Sequence, residues 1–220
     1  MFLSKKEKDG IAWSNILLLV FTFALIFLVP LFLEANRKSI NSILFSAIFF
    51  LAIFTLGKNM KKRMIILAIV AFVTEWIAEI FELNTLHYIS SIVNVLFFQI
   101  IVIRLIIQIA RSKEVNAGVI LESVNAYLLL GLMFTMLVAI LHLYNPGAFG
   151  FSNNEATKVH DFIYFTFVTM STLGYGDVTP VEPIGKSLSI LISVTGQLYI
   201  AIIIAMLVGK FSAGISSSKK

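Results

Sequence analysis

The chain has 220 residues, 59% hydrophobic and only 13% charged, with a mean hydropathy of +0.95. Soluble domains carry roughly 45–50% apolar and about 25% charged residues, so composition excludes a water-surrounded fold and makes the lipid bilayer the solvent. The net charge of +5 does not point to nucleic acid, because the basic residues fall between apolar runs, where they orient helices; the absence of cysteine removes disulfides and thiolate metal sites.

In chain order, residues 1–12 form a basic N-terminus with Lys5, Lys6 and Lys8 ahead of an apolar run over 13–33. A secretory signal has a shorter apolar core of about 7–15 residues and a small-x-small cleavage site, so this run is expected to be a retained membrane helix. A polar loop with Glu34, Arg37 and Lys38 leads to a second span over 40–56. The cluster Lys58, Lys61, Lys62 and Arg63 reads as a topological anchor before a third span over 64–81 and a fourth over 88–110. Residues 111–126, opened by Arg111, Ser112, Lys113 and Glu114, read as an interfacial linker. A fifth span is expected over 127–143 and a sixth over 187–209, with a short tail at 212–220. The long runs approach the roughly 20 residues needed to cross about 30 Å of hydrocarbon.

Six crossings put the N-terminus, the 58–63 loop, the 111–113 segment and Lys210 on one face. The loops at 82–87 and 145–186, poorer in Lys and Arg, fall on the other. Five or seven crossings would scatter the basic loops. The positive-inside rule then predicts cytoplasmic termini; the expected location is the plasma membrane, as a multi-pass protein. Within the spans, Glu75 and Glu79 are costly in lipid; Glu79 is expected near the outer surface, and Glu75 is expected to pair with Asn94 or Gln99. His87, His142 and His160 are far apart in the chain, and no residue cluster has triad or metal spacing, so no enzyme is expected.

The connection between the fifth and sixth spans holds an apolar segment over 161–170, too short to cross, which suits a re-entrant half-helix. Asp161 compensates the dipole at its start, and its C-terminal end favours a cation. Ser171-Thr172-Leu173-Gly174-Tyr175-Gly176-Asp177 follows at once. A cation shedding its water needs closely spaced protein oxygens. Backbone carbonyls supply them only if successive residues turn C=O the same way, which requires left-handed backbone that Gly174 and Gly176 adopt without a Cβ penalty. The Thr172 hydroxyl can add a further oxygen, and Tyr175 can brace the loop from outside. Irregular backbone at membrane depth is tolerated only where protein and ions, not lipid, satisfy it.

Thr-Leu-Gly-Tyr-Gly-Asp at 172–177 resembles the signature of the tetrameric potassium-channel family, with Leu173 where valine is usual. Val168-Thr169-Met170 resembles its voltage-gated branch. Thr195-Gly196-Gln197-Leu198-Tyr199-Ile200-Ala201 resembles the inner helix of small bacterial members. The resemblance covers 127–211 as a pore domain; residues 13–110 resemble a four-helix voltage-sensor domain in number and topology only. It implies an all-α membrane protein with six transmembrane helices, a re-entrant pore helix and a filter loop, assembled as a homotetramer around one pore. It further implies K+ held at Thr172, Leu173, Gly174 and Tyr175 in a filter running to Gly176, and a gating hinge at Gly196. K+ is then the permeant ion, and no cofactor is required. Relatives often carry a tryptophan eight residues before Thr172; Tyr164 stands there, and its hydroxyl is expected to bond Asp177 behind the filter.

Two alternatives are a potassium transporter subunit, which would usually carry several degenerate filter segments, and a non-conducting regulatory subunit, disfavoured by an undamaged filter. Residues 94–104 are apolar until Arg104, with only Arg111 beyond, so weak or absent voltage gating is expected.

Overall fold

The computed structural model describes residues 13–31, 34–55, 65–66, 68–70, 73, 77, 84–112, 115–151 and 159–218. It divides into two compact units, Met1–Ala126 with Met206–Lys220, and Tyr127–Ala205. Among the described residues, four helical segments are long and apolar enough to cross a membrane: Trp13–Leu31, Ile92–Arg111, Ala117–Tyr144 and Pro183–Lys210. The third expected span, the 58–63 cluster, Glu75 and Glu79 lie wholly or mostly outside the described residues.

In the first unit, α1 (Trp13–Phe23) passes into a π turn over Ala24–Leu28 and a 3-10 turn over Val29–Leu31. Pro30 has no N–H to continue an α ladder. The chain widens ahead of it, and the Val29 N–H reaches back to the Ala24 carbonyl. Thr22 spends its hydroxyl on the Leu18 and Leu19 carbonyls at 2.7 and 3.0 Å, satisfying in lipid a group that would otherwise be orphaned.

The second helix, α2, covers Glu34–Phe54. Glu34, Arg37 and Lys38 therefore belong to a helix and not to the expected loop. The 34–39 segment holds no Gly or Pro and is rich in helix formers, so the helix propagates through residues that hydropathy alone discards. The apolar part of α2, Ile43–Phe54, is short. The same correction applies to α3 (Asn84–Arg111), which begins inside the expected 82–87 loop.

These helices interlock through aromatic rings: Phe49 of α2 stacks on Phe97 of α3 at a centroid distance of 4.1 Å and meets Phe98 edge-on at 5.4 Å. Phe98, Ile101, Leu105 and Ile109 form the buried stripe of α3. Asn116 opens α4 (Ala117–Tyr144) by accepting the Val119 N–H at 3.0 Å, a side-chain N-cap. Residues 117–126 are thus the first turns of the same helix as 127–143, not a separate linker.

Buried amides join α1 to α4. Asn15, 3% exposed, donates to Glu122 Oε1 at 3.2 Å, and Asn125, 1% exposed, donates to the Asn15 carbonyl at 2.8 Å. Glu122 and Asn125 are three residues apart and so share a helix face. The starts of α1 and α4 therefore lie on one side. Lys210 of the last helix reaches the end of α3, which five residues separate from the start of α4.

In the second unit, the remainder of α4 is followed by a turn at Pro146–Ala148, strand β1 (Phe149–Gly150), α5 (Val159–Met170), strand β2 (Thr179–Pro180) and α6 (Pro183–Ser218). The two strands pair antiparallel, Phe149 opposite Pro180 and Gly150 opposite Thr179. α6 starts at a proline, whose missing N–H costs nothing in a first turn, and runs four residues earlier and several later than the expected 187–209.

Interhelical hydrogen bonds in membranes average about 0.6 kcal/mol and reach about 1.7, whereas emptying a core leucine site costs about 2–5. Thermal unfolding in detergent is expected to rank Leu18→Ala as more damaging than Asn125→Leu. The reverse order would make the amide pair the principal tie between α1 and α4.

Candidate functional site

The site is built on α5. Its 12 residues place Asp161 in the first turn, where a carboxylate opposes the positive end of the dipole. Phe162, Ile163, Phe165, Thr166 and Met170 are buried, fixing the helix by its apolar face. The helix ends by capping itself. Ser171 N–H donates to Phe167 O, Thr172 N–H to Thr169 O and Leu173 N–H to Val168 O, all at 3.0 Å. These bonds use the last carbonyls and turn the chain sharply into an extended loop.

Along that loop the backbone alternates in hand. Thr172 has φ +60°, Gly174 +55° and Gly176 +83°, and no other described residue has a positive φ. In an ordinary strand successive carbonyls point to opposite sides; reversing the hand at every second residue brings them to the same side. The left-handed requirement thus reaches one residue further than the two glycines, onto a β-branched threonine, at a cost of about 1–2 kcal/mol. Thr172 is held there by its N–H bond to Thr169 and by its hydroxyl, which donates to the Ser171 carbonyl at 2.6 Å. At Gly174 and Gly176 a Cβ would meet nothing within 4 Å, so glycine is needed for conformation and not for space. Residues 171–177 are all exposed on the single chain, Leu173 by 55% and Tyr175 by 67%.

Behind the loop, the Tyr164 hydroxyl donates to Asp177 Oδ2 at 2.6 Å. The bond pushes Tyr164 up to about 12 and holds the Asp177 carboxyl below its usual range. A depressed carboxyl stabilises the folded arrangement above its ordinary pKa and loses that contribution only as pH falls through the lowered one. On the alkaline side the contact persists until Tyr164 ionises.

Beyond Asp177, the β1–β2 ribbon, the Val181 N–H bond to the Ala148 carbonyl at 2.9 Å and a short contact from the Asn145 amide to Glu182 Oε2 fasten the exit segment to the end of α4. Sequence reasoning missed this clamp, because its two halves are far apart in the chain.

Gly196 is buried and packs on the end of α5, where a Cβ would stand 2.5 Å from the Met170 carbonyl oxygen. Gln197 Nε2 reaches the same oxygen at 3.5 Å. α6 continues through both without a break. Of the histidines, His142 lies among the rings of Phe151 and Phe162, at 5.2 and 5.4 Å. No group of three His, Cys, Asp or Glu able to hold a metal occurs among the described residues.

Residues 126–213 match the family model described as ion channel. A 35-residue stretch, 16% of this chain and 2% of the relative, is 63% identical to potassium channel K1 of Plasmodium berghei. Over 84 residues, 36% of this chain and 16% of the relative, it is 32% identical to potassium voltage-gated channel protein shk-1 of Caenorhabditis elegans. Over 83 residues, 38% of this chain and 17% of the relative, it is 35% identical to two pore potassium channel c of Oryza sativa subsp. japonica. The chain therefore spans less than a fifth of the length of these curated relatives. No solved structure matches it significantly.

Gly174→Ala and Gly176→Ala each force a Cβ into left-handed backbone at about 1–2 kcal/mol per copy. Both are expected to abolish ion conduction or its selectivity in a liposome flux assay while the protein still purifies. Because the Tyr164–Asp177 contact does not titrate between pH 8 and 5.5, conduction is expected to be flat over that range; a step there would place a titrating group elsewhere in control.

Proposed function

We propose that this chain is one subunit of a potassium-selective channel that passes K+ passively through the plasma membrane, as the resemblance implied. The observation that carries it is the alternating hand at Thr172, Gly174 and Gly176, in a loop that lies inside the segment matching the ion-channel family. Rings of backbone carbonyls that replace an ion's hydration shell need this backbone. The relatives named as potassium channels favour K+ as the ion.

One loop offers its carbonyls from one side only, and its residues 171–177 are exposed. Rotational symmetry would close the ring, so the working assembly is a homotetramer with K+ at Thr172, Leu173, Gly174 and Tyr175. Tyr164 and Asp177 support the filter from behind, Tyr175 braces it against a neighbouring subunit, and Gly196 serves as a hinge in the inner helix α6. Six spans with both termini in the cytoplasm agree with the starts of α1 and α4 lying on one side and with Lys210 of α6 meeting the end of α3. No cofactor and no catalytic side chain are required.

The channel is weakly voltage-gated or not gated by voltage. A steep sensor moves about 3–4 charges per subunit, each worth about 2.3 kcal/mol per 100 mV. At three-residue spacing before Arg104 stand Val95, Phe98 and Ile101, apolar and at most 6% exposed.

Reconstitution into liposomes with unequal K+ and Na+ tests the proposal. The reversal potential is expected near the K+ value, and near-equal Na+ permeation would overturn it; transport that saturates at low turnover would instead indicate a transporter, and silence a regulatory subunit. Conductance against voltage is expected to be shallow and unchanged by Arg104→Gln; a steep curve flattened by that substitution would mean that Arg104 senses the field.

A further inference from the structure

Lys210 occupies the last turn of the apolar stretch of α6 and is half-buried. Its ammonium lies 2.8 Å from the Ala110 carbonyl, 3.1 Å from the Ile109 carbonyl and 3.3 Å from Ser112 Oγ. An ammonium has three donors, and all three are used. The acceptors form the C-terminus of α3, where the last carbonyls lack partners within the helix and carry its negative dipole end. Ser112 adds its own N–H and hydroxyl to the Ile109 carbonyl. The cation on the inner helix thus completes the cap of a helix that contributes nothing to the filter.

We infer that Lys210 is a clasp that resists opening by tying the inner end of α6 to the end of α3. The inference rests on the channel reading and on Gly196 as the point of bending. Lys210 lies about 21 Å beyond Gly196 at 1.5 Å per residue, so a bend of about 20° there carries the ammonium about 7 Å. Bonds of about 3 Å do not survive that displacement unless the end of α3 follows. The clasp therefore holds α6 in its unbent form. With no arginine series to move α3, it supplies a link by which forces on the helices outside the pore reach the inner end of α6.

Single-channel recording in liposomes tests this directly. Lys210→Met is expected to raise open probability about fivefold or more, whereas Lys210→Arg, which keeps charge and donors, stays near the unmodified value; an open probability within about twofold of unmodified for Lys210→Met would overturn the clasp. The chain has no cysteine, so Ser112→Cys with Lys210→Cys can be bridged by a short bis-methanethiosulfonate reagent whose span stands in for the lysine side chain. Current is expected to fall when the bridge forms and return on reduction, and a bridge verified by mass spectrometry with undiminished current would also overturn the clasp. If the unmodified protein carries no K+ current, the channel reading fails instead. The contact is then judged by hydrogen exchange: amides at the end of α3 are expected to lose protection in Lys210→Met and keep it in Lys210→Arg, and equal protection in both would dismiss it.

Discussion

Backbone polar groups at membrane depth have no water to turn to, so each must find its partner in protein or in a bound ion. A loop that directs its carbonyls to one side breaks this rule within a single chain, and much of the second unit compensates. α5, with 12 residues, is too short to span, which suits the proposed re-entrant role. Its last carbonyls are consumed by the N–H groups of Ser171, Thr172 and Leu173, so the turn out of the helix leaves few orphans. The strained φ at Thr172 is held by two hydrogen bonds, and the far end is pinned by Tyr164 on Asp177 and by the β1–β2 ribbon. What the chain leaves open is the exposed side of residues 171–177, and that is the side an ion and further copies of the chain would fill.

The glycine pattern of the 172–177 loop was legible in the residues because its chemistry is local: alternate positions lacking Cβ after a short apolar helix specify a backbone before any tertiary contact is known. Thr172 was not legible as a left-handed residue, since threonine avoids that region and only the capping bonds from α5 impose it. Tyr164 was legible as a partner of Asp177 only through its resemblance to a tryptophan position. The Asn145–Glu182 contact, the ribbon and the Lys210 clasp join segments with no pattern linking them in the chain. Helix ends were legible only where apolarity ended with the helix. α2 and α3 each begin in polar stretches without Gly or Pro in their first turns, and hydropathy reports what is greasy, not what is helical.

In α3, the helix that the resemblance would align with a voltage sensor, the side chains serve packing. Val95, Phe98 and Ile101 fall at the three-residue spacing where charges would have to sit, and they are buried, with Phe98 against Phe49. Arginines there would have to be desolvated among aromatic rings. The face that could have carried charge is a packing face, and Arg104 is exposed away from it. What α3 offers the rest of the chain is its C-terminus: a cluster of carbonyls that attracts a cation.

α6 is gripped at three heights, and the grips differ in how they can be released. At its start, Glu182 and Val181 are held by the Asn145–Ala148 segment through several bonds and a strand pair, so releasing it means unzipping a ribbon. In the middle, Gly196 lies against the Met170 carbonyl with no room for a methyl group. A larger residue there would have to push the end of α5 aside. At the inner end the grip is one flexible side chain at the close of the apolar stretch, where water and headgroups can replace each bond as it breaks. The cost of release therefore falls from the ribbon to the ammonium, and a force along α6 yields first at Lys210. In the proposed channel, a helix held firmly at its start, able to pivot at Gly196 and loosely tied at Lys210 would move mainly beyond Gly196, leaving the loop that α5 positions undisturbed.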